Sequence, residues 1–305
     1  MKKVSAILLV FVYMCMVVPV VLADESEIYG QVEYKIVNES YAEITGVNSA
    51  GNISALIIPE EINGYPVTAI GAEAFYEQVR IESVTIPESI TAICEWAFAE
   101  CTSLKSITIP DSVKTIGDEA FHHCTSLESV VIGDGVENIG FDAFGSCTSL
   151  KSVTLGNGIK TIGICAFAAC PSLENMIISQ NVTEIQNGAF YACTNLKSVV
   201  IPENVTKIAD NAFENCKELI ICGKSGSYAE EYAKKCSIMF ELLQDSNKGD
   251  INGDGNINSR DISILQKYLM GMAELSEEQL NFADTSNDNV INSRDLAALQ
   301  KKIAG

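Results

Sequence analysis

Between positions 67 and 219 hydrophobic residues return at one constant interval, and their spacing changes character partway through each unit. Written from Ile90, one unit reads ITAICEWAFAECTSLKSITIPDS; the next, from Val113, reads VKTIGDEAFHHCTSLESVVIGDG. Further units begin at Val136, Ile159, Val182 and Val205, and an earlier one at Val67, so the period is twenty-three positions. In Ser106-Ile107-Thr108-Ile109 two isoleucines alternate with polar residues, the pattern of a strand buried on one side. The Ala, Phe and Cys positions, as in Ala97, Phe98 and Cys101, fall at i, i+1 and i+4, which suits one helical turn. Each unit therefore predicts a short strand plus a helical turn, unable to bury its apolar side alone. Stacked units make a mixed α/β solenoid whose coils rise about 4.8 Å each along the strand hydrogen bonds.

Each column of the repeat has its own task. Isoleucine recurs at 70, 93, 116, 139, 162, 185 and 208; an Ala-Phe pair recurs from Ala74-Phe75 to Ala212-Phe213; a leucine column runs from Leu104 to Leu219. The phrase IxxIGxxAFxxCxSLxSVxIP, almost complete at 113–132, resembles the BspA-like leucine-rich repeats of bacterial surface proteins over roughly residues 28–240. The resemblance implies a leucine-rich-repeat solenoid used for binding and adhesion. It implies no reaction and no particular ligand.

A solenoid needs capped ends. Residues 24–66 are expected to form the N-terminal cap, a β-hairpin built on Val32-Tyr34-Ile36 and Ala42-Ile44 with its turn at Asn38-Glu39-Ser40. The solenoid with its C-terminal cap is expected over 67–240. There the strand Leu219–Cys222 is followed by Gly223, and Ser227 and Glu230 have capping-box spacing for a helix ending near Cys236.

Six cysteines share one column: Cys101, Cys124, Cys147, Cys170, Cys193 and Cys216. Equivalent side chains in adjacent coils stay parallel about 4.8 Å apart, outside the roughly 3.5–4.5 Å Cβ separation of a disulfide. The first unit has Gln78 in this column, so pairing is not enforced. Buried, reduced cysteines are the favoured reading; a disulfide ladder and a soft-metal ladder are the alternatives. His122 and His123 are the two histidines, and as neighbours on a turn they point apart, which suits a polar surface. The Ser83, Ser106, Ser129, Ser152, Asn175, Ser198 column makes a flat, uncharged strand face, suited equally to a ligand and to plain solvation. Trp96, Phe141 and Ile164 stand in otherwise polar columns and are expected to form an apolar strip on the turn side, with Trp96 as a candidate sugar platform.

The composition changes after Leu243. Residues 241–248 read as a linker, and 249–305 as a separate module. Its first segment places oxygen side chains at loop positions 1, 3, 5, 9 and 12: Asp250, Asn252, Asp254, Asn258 and Asp261. Gly255 supplies the sharp turn at position 6 and Asn256 a backbone carbonyl at 7. The code recurs further on as Asp284, Ser286, Asp288, Asn292 and Asp295, with Val290 giving the carbonyl. Three carboxylates per loop suit a hard cation, so two calcium ions are expected. The second loop has Asn289 where glycine is usual and a neutral ligand in Ser286, which weakens the second site. Each loop ends in Asp and is followed, but not cleanly preceded, by a helix.

Those departures, with the duplicated INSRD and LQK phrases, resemble a type I dockerin, a small all-α EF-hand-like module. The resemblance implies calcium-dependent binding to a cohesin on a scaffold of the cellulosome kind, in polysaccharide degradation. Carried over by loop position, it assigns cohesin recognition to Ser259, Arg260, Gln266 and Lys267, and in the second half to Ser293, Arg294, Gln300 and Lys301. The two sets are identical, so docking in either of two orientations is expected.

Of 305 residues, 47% are hydrophobic and 20% charged, which describes a folded chain. The net charge of −20 argues against nucleic acid or an anionic membrane as partner. Met1-Lys2-Lys3, the apolar run to Leu22, and Val21-Leu22-Ala23 before Asp24 read as a secretory signal peptide, residues 1–23, with an uncleaved anchor helix as the alternative. No second stretch is a membrane-span candidate, and no nucleophile, zinc-helix or phosphate-loop motif occurs. The expected function is a secreted, non-enzymatic adhesion or binding subunit whose solenoid takes a glycan or cell-surface ligand. A structural spacer, or an enzyme or inhibitor with an unrecognised site, is the alternative.

Overall fold

The computed structural model describes residues 27–48, 53–242, 248–252, 257–285 and 290–304. The expected signal peptide therefore lies outside the described residues. Apolar side chains form two separate cores, one running from Val32 to Ala233 and one built on Ile251, Leu265, Ala283 and Leu299.

The first core begins in an antiparallel meander, β1 (Glu27–Tyr29), β2 (Val32–Val37) and β3 (Tyr41–Val47). The turn falls at Asn38-Glu39-Ser40, where Asn38 and Glu39 take left-handed φ values of 50° and 52°. Period-two alternation places Val32, Tyr34, Ala42 and Ile44 inside. β3 then pairs in parallel with Tyr65–Ile70 and starts the stack.

Every coil contributes two strands. The longer ones include Ser83–Thr85, Ser106–Ile109, Ser129–Ile132 and Ser152–Thr154, paired in parallel with Ser83 opposite Ser106, Ser106 opposite Ser129 and Ser129 opposite Ser152. A second ladder of very short strands, such as Ala92–Ile93 and Thr115–Ile116, carries the isoleucine column. Strands this short give alternation no length over which to show in sequence.

The curved side, assigned to a helical turn from its spacing, closes differently. Cys94 O accepts from Ala97 N (3.3 Å), Trp96 O from Ala99 N (3.1 Å) and Phe98 O from Cys101 N (3.2 Å), each within the coil. The intervening donors point along the solenoid axis: Trp96 N to Asp118 O (3.0 Å), Phe98 N to Ala120 O (2.7 Å) and Glu100 N to His122 O (2.8 Å). An α-helix would spend every N–H within the segment. Stacking diverts every second one to the next coil, and Trp96 and Glu100 take left-handed φ values (59° and 61°) to allow it.

Inside that curve the phenylalanines stack. Phe98, Phe121, Phe144, Phe167, Phe190 and Phe213 lie with successive ring centroids 5.1 to 5.6 Å apart and planes within 11° of parallel. Burying each ring contributes roughly 1.5–3 kcal/mol. The stack ends where Tyr232 of helix α1 (Tyr228–Cys236) meets Phe213 edge-on at 6.1 Å. At the start of α1 the Ser227 side chain makes no cap hydrogen bond. Glu230 instead accepts from Gly226 N at 2.7 Å, so the expected capping box is not formed. Met239–Leu242 adds a last parallel strand to Ile220–Gly223.

The second core joins helices α2 (Ser259–Leu269), α3 (Glu277–Ala283) and α4 (Ser293–Ala304). Leu265 and Leu299, separated in sequence by the same interval as the two loops, are its fully buried counterparts. α3 ends at Ala283, immediately before the first residue of the second loop, so that loop is preceded by a helix, contrary to expectation. Both ends of the expected linker 241–248 are structured: Leu242 ends a strand, and Lys248 is buried beside the second loop.

Candidate functional site

Four carboxylates at the loop ends are buried: Asp250 and Asp284 are 5% exposed, Asp261 and Asp295 0%. Each loop packs its closing Asp beneath its own backbone. Asp261 Oδ1 accepts from Ile251 N at 2.9 Å and Asn252 N at 3.2 Å, and Oδ2 accepts from Asn258 N at 2.9 Å. In the second loop Asp295 Oδ2 accepts from Asn292 N at 2.8 Å, and Thr285 Oγ1 donates to Asp295 O at 2.7 Å. These bonds hold the loop ends in register.

Among the described residues, Lys248 is the one buried cation facing this group; its Nζ lies 3.4 Å from Asp284 Oδ2. Buried carboxylates at the ends of both loops carry negative charge that a bound cation would offset. An oxygen-only donor set of this kind fits calcium. Asp254, Asn256, Ser286 and Asp288 lie outside the described residues. Val290, the expected carbonyl donor, accepts from Asn292 Nδ2 at 2.9 Å.

Asn258 and Asn292 have a second role. Asn258 Oδ1 accepts from Arg260 N at 2.9 Å and Asn292 Oδ1 from Arg294 N at 2.8 Å, capping α2 and α4. The signal was legible: Asn followed at the third position by an acid is a capping box superimposed on the calcium code.

All eight expected docking residues are exposed: Ser259, Arg260, Gln266 and Lys267 on α2, and Ser293, Arg294, Gln300 and Lys301 on α4. Positions two helical turns apart share a face, so Ser259 aligns with Gln266 and Arg260 with Lys267. The same holds on α4.

On the solenoid the serine face is flanked by an alternating charged column. Lys105 pairs with Glu82, Lys151 with Glu128 and Lys197 with Glu174. The apolar strip is present at Phe141 (44% exposed) and Ile164 (42%), which share one column, while Trp96 lies half-buried one column over and meets Tyr76 edge-on at 5.9 Å. A concavity of about 690 Å³ between the last coil and α1 is lined by cap residues such as Phe213, Tyr232 and Ile238 and brings no catalytic grouping together. Every described cysteine is free. Burial pushes the Cys101 thiol up to about 12 and the Cys124 and Cys147 thiols well above their ordinary value, which favours the protonated form at these positions.

A grouping that sequence reasoning missed joins His122 to Glu119 and Asp142 across two coils. Glu119 and His122 share one turn, but Asp142 meets them only because the chain has by then come almost once around the solenoid. The local turn does not reveal that relation.

The family model for the BspA type leucine rich repeat region matches six copies over residues 68–140 and 114–233, and that for the dockerin type I domain matches residues 248–304. A leucine rich repeat protein of T. pallidum is similar in structure, 27% identical, with 69% of this chain and 95% of that one covered and a TM-score of 0.50. A leucine-rich repeat protein from Eubacterium ventriosum is 24% identical over 61% of this chain and 50% of that one, with a TM-score of 0.54, and shares the fold. No curated protein matches the chain.

Proposed function

The chain belongs to the BspA-type leucine-rich repeat family and ends in a type I dockerin, and from this we propose that it is a secreted, non-catalytic binding subunit held on a cellulosome-type scaffold. A dockerin is a calcium-binding module whose partner is a cohesin. The finer reading assigns one ion to each loop: Asp250, Asn252, Asp254, Asn256, Asn258 and Asp261 for the first, and Asp284, Ser286, Asp288, Val290, Asn292 and Asp295 for the second. Calcium supplies the charge that closes the loops. The chain's own residues then hold α2 and α4 with their Ser-Arg and Gln-Lys faces outward.

One observation carries this reading: two identical, exposed quartets stand on two helices, and the buried anchors Leu265 and Leu299 repeat at the same interval as the quartets do. A cohesin that accepts one face can accept the other after a half-turn of the module. Titrating the full chain into a type I cohesin, with calcium and then with chelator, tests the proposal; binding that survives chelation contradicts it.

For the solenoid we propose a glycan or cell-surface ligand on the serine face, in the setting of polysaccharide breakdown. The internally paired Lys–Glu column favours a second reading, a spacer, because its charges already satisfy each other. Presenting the full chain to plant cell-wall polysaccharides, with the cohesin blocking the dockerin, separates the two. The domain limits (1–23, 24–66, 67–240, 241–248 and 249–305) and export by the signal peptide belong to the same proposal.

A further inference from the structure

We propose that Glu119, His122 and Asp142 form a site for a first-row divalent cation on the curved side of the solenoid, independent of the dockerin. His122 Nδ1 lies 3.1 Å from Asp142 Oδ2, and the donor atoms of all three residues lie within 4.8 Å of one another. Donors bound at about 2.1 Å to one zinc ion stand no more than ~4.2 Å apart, so small side-chain adjustments bring this trio into range. One imidazole with two carboxylates suits zinc and its first-row neighbours better than calcium.

Three features mark the trio as built. His122 Nδ1 is buried and makes no well-aligned hydrogen bond, its neighbour being Asp142 Oδ2 at 3.1 Å. A cation bound between this nitrogen and the two carboxylates would satisfy all three groups.

Room is made for the carboxylate as well. Gly145 stands one coil on from His122 in a column otherwise filled by Tyr76, Ala99, Ala168, Tyr191 and Glu214. A Cβ there would collide with Asp142 Oδ1, and no left-handed φ calls for glycine at this position. The missing side chain is the space that the Asp142 carboxylate occupies. Asp142 and Glu119 themselves take left-handed φ values of 52° and 54°, fixed by Asp142 N to Ile164 O (2.9 Å) and Glu119 N to Phe141 O (2.7 Å).

The surrounding charge favours a cation. Asp118 and Glu95 flank the trio but are otherwise engaged: Asp118 Oδ1 accepts from Phe141 N at 2.7 Å, and Glu95 Oε1 from Trp96 Nε1 at 3.1 Å. Three protein ligands leave a coordination position open, and the Trp96 ring centroid lies 6.4 Å from that of His122.

The test is zinc titration of the full chain by calorimetry in saturating calcium, which occupies the dockerin, with cobalt absorption as a second readout. The expected result is one zinc per chain, with a cobalt spectrum free of the intense charge-transfer bands of thiolate ligation. His122→Ala and Asp142→Asn should abolish the site, Gly145→Ala should weaken it about 10- to 100-fold, and His123→Ala should leave it unchanged. All variants should keep the wild-type circular dichroism. No stoichiometric zinc binding, binding unaltered in both His122→Ala and Asp142→Asn, or a thiolate spectrum would each overturn the assignment.

Discussion

The Cys124 thiol donates a hydrogen bond to the carbonyl oxygen of Phe98 at 3.2 Å. The same bond joins Cys101 to Phe75, Cys147 to Phe121, Cys170 to Phe144, Cys193 to Phe167 and Cys216 to Phe190. At Phe75, Phe98, Phe121 and Phe190 the carbonyl already accepts one bond from within its own coil, as Phe98 O does from Cys101 N, so the thiol fills its second lone pair. The cysteine column is thus a row of small apolar side chains with a donor at the tip, which requires S–H.

Two outcomes follow for the thiols. All the described cysteines should label after denaturation without reductant, and mass spectrometry counts them. Burial in the fold raises the Cys101 and Cys216 thiols from 9.0 to about 12, so their contribution to stability is complete below pH 9 and is lost as pH climbs toward 12. Thermal melts of the solenoid should therefore fall steeply above pH 9.

Removing one ring from the aromatic stack should be costly but local. Phe144→Ala leaves a cavity between Phe121 and Phe167 and should destabilise the solenoid by about 3–5 kcal/mol in a denaturant titration. Deleting the whole coil 136–158 joins equivalent positions and should leave a folded chain. Deleting half that length should not.

The calcium sites should fill unequally. Lys248 places its ammonium 3.4 Å from Asp284 Oδ2, where it competes with a cation for the first ligand of the second loop. Lys248→Met should raise calcium affinity at that loop and leave the first nearly unchanged, as read from a two-step calorimetric titration. Equal filling in the native chain, unchanged by the substitution, would contradict this role.

Much of this was legible from residues. The recurring columns of Ile93, Phe98 and Leu104 pointed to the solenoid, and the two carboxylate loops to the dockerin. The curved side was not legible, because the i, i+1, i+4 spacing of Ala97, Phe98 and Cys101 fits a helical turn and a ribbon of tight turns equally. What separates them is left-handed backbone at Trp96, Glu119 and Asp142, which tryptophan and glutamate do not advertise. The pairing of His122 with Asp142 was hidden for the same reason: it depends on how far the curve turns each side chain. At the dockerin, Asn258 caps α2, a role that overlaps the calcium-loop pattern expected of the same residue.

The central claim is that calcium-held α2 and α4 present two equivalent docking faces. Arg260 and Arg294 follow the capping residues Asn258 and Asn292 by two positions and are both exposed, so neither face is privileged by burial. Calorimetric titration of a cognate cohesin with the full chain, its Arg260→Ala and Arg294→Ala variants and the double variant tests this most directly. Each single variant should bind within about threefold of the native chain, the double variant at least ~30-fold more weakly, and chelator should abolish binding in all four. A single variant as impaired as the double, or binding that persists in chelator, would contradict the account.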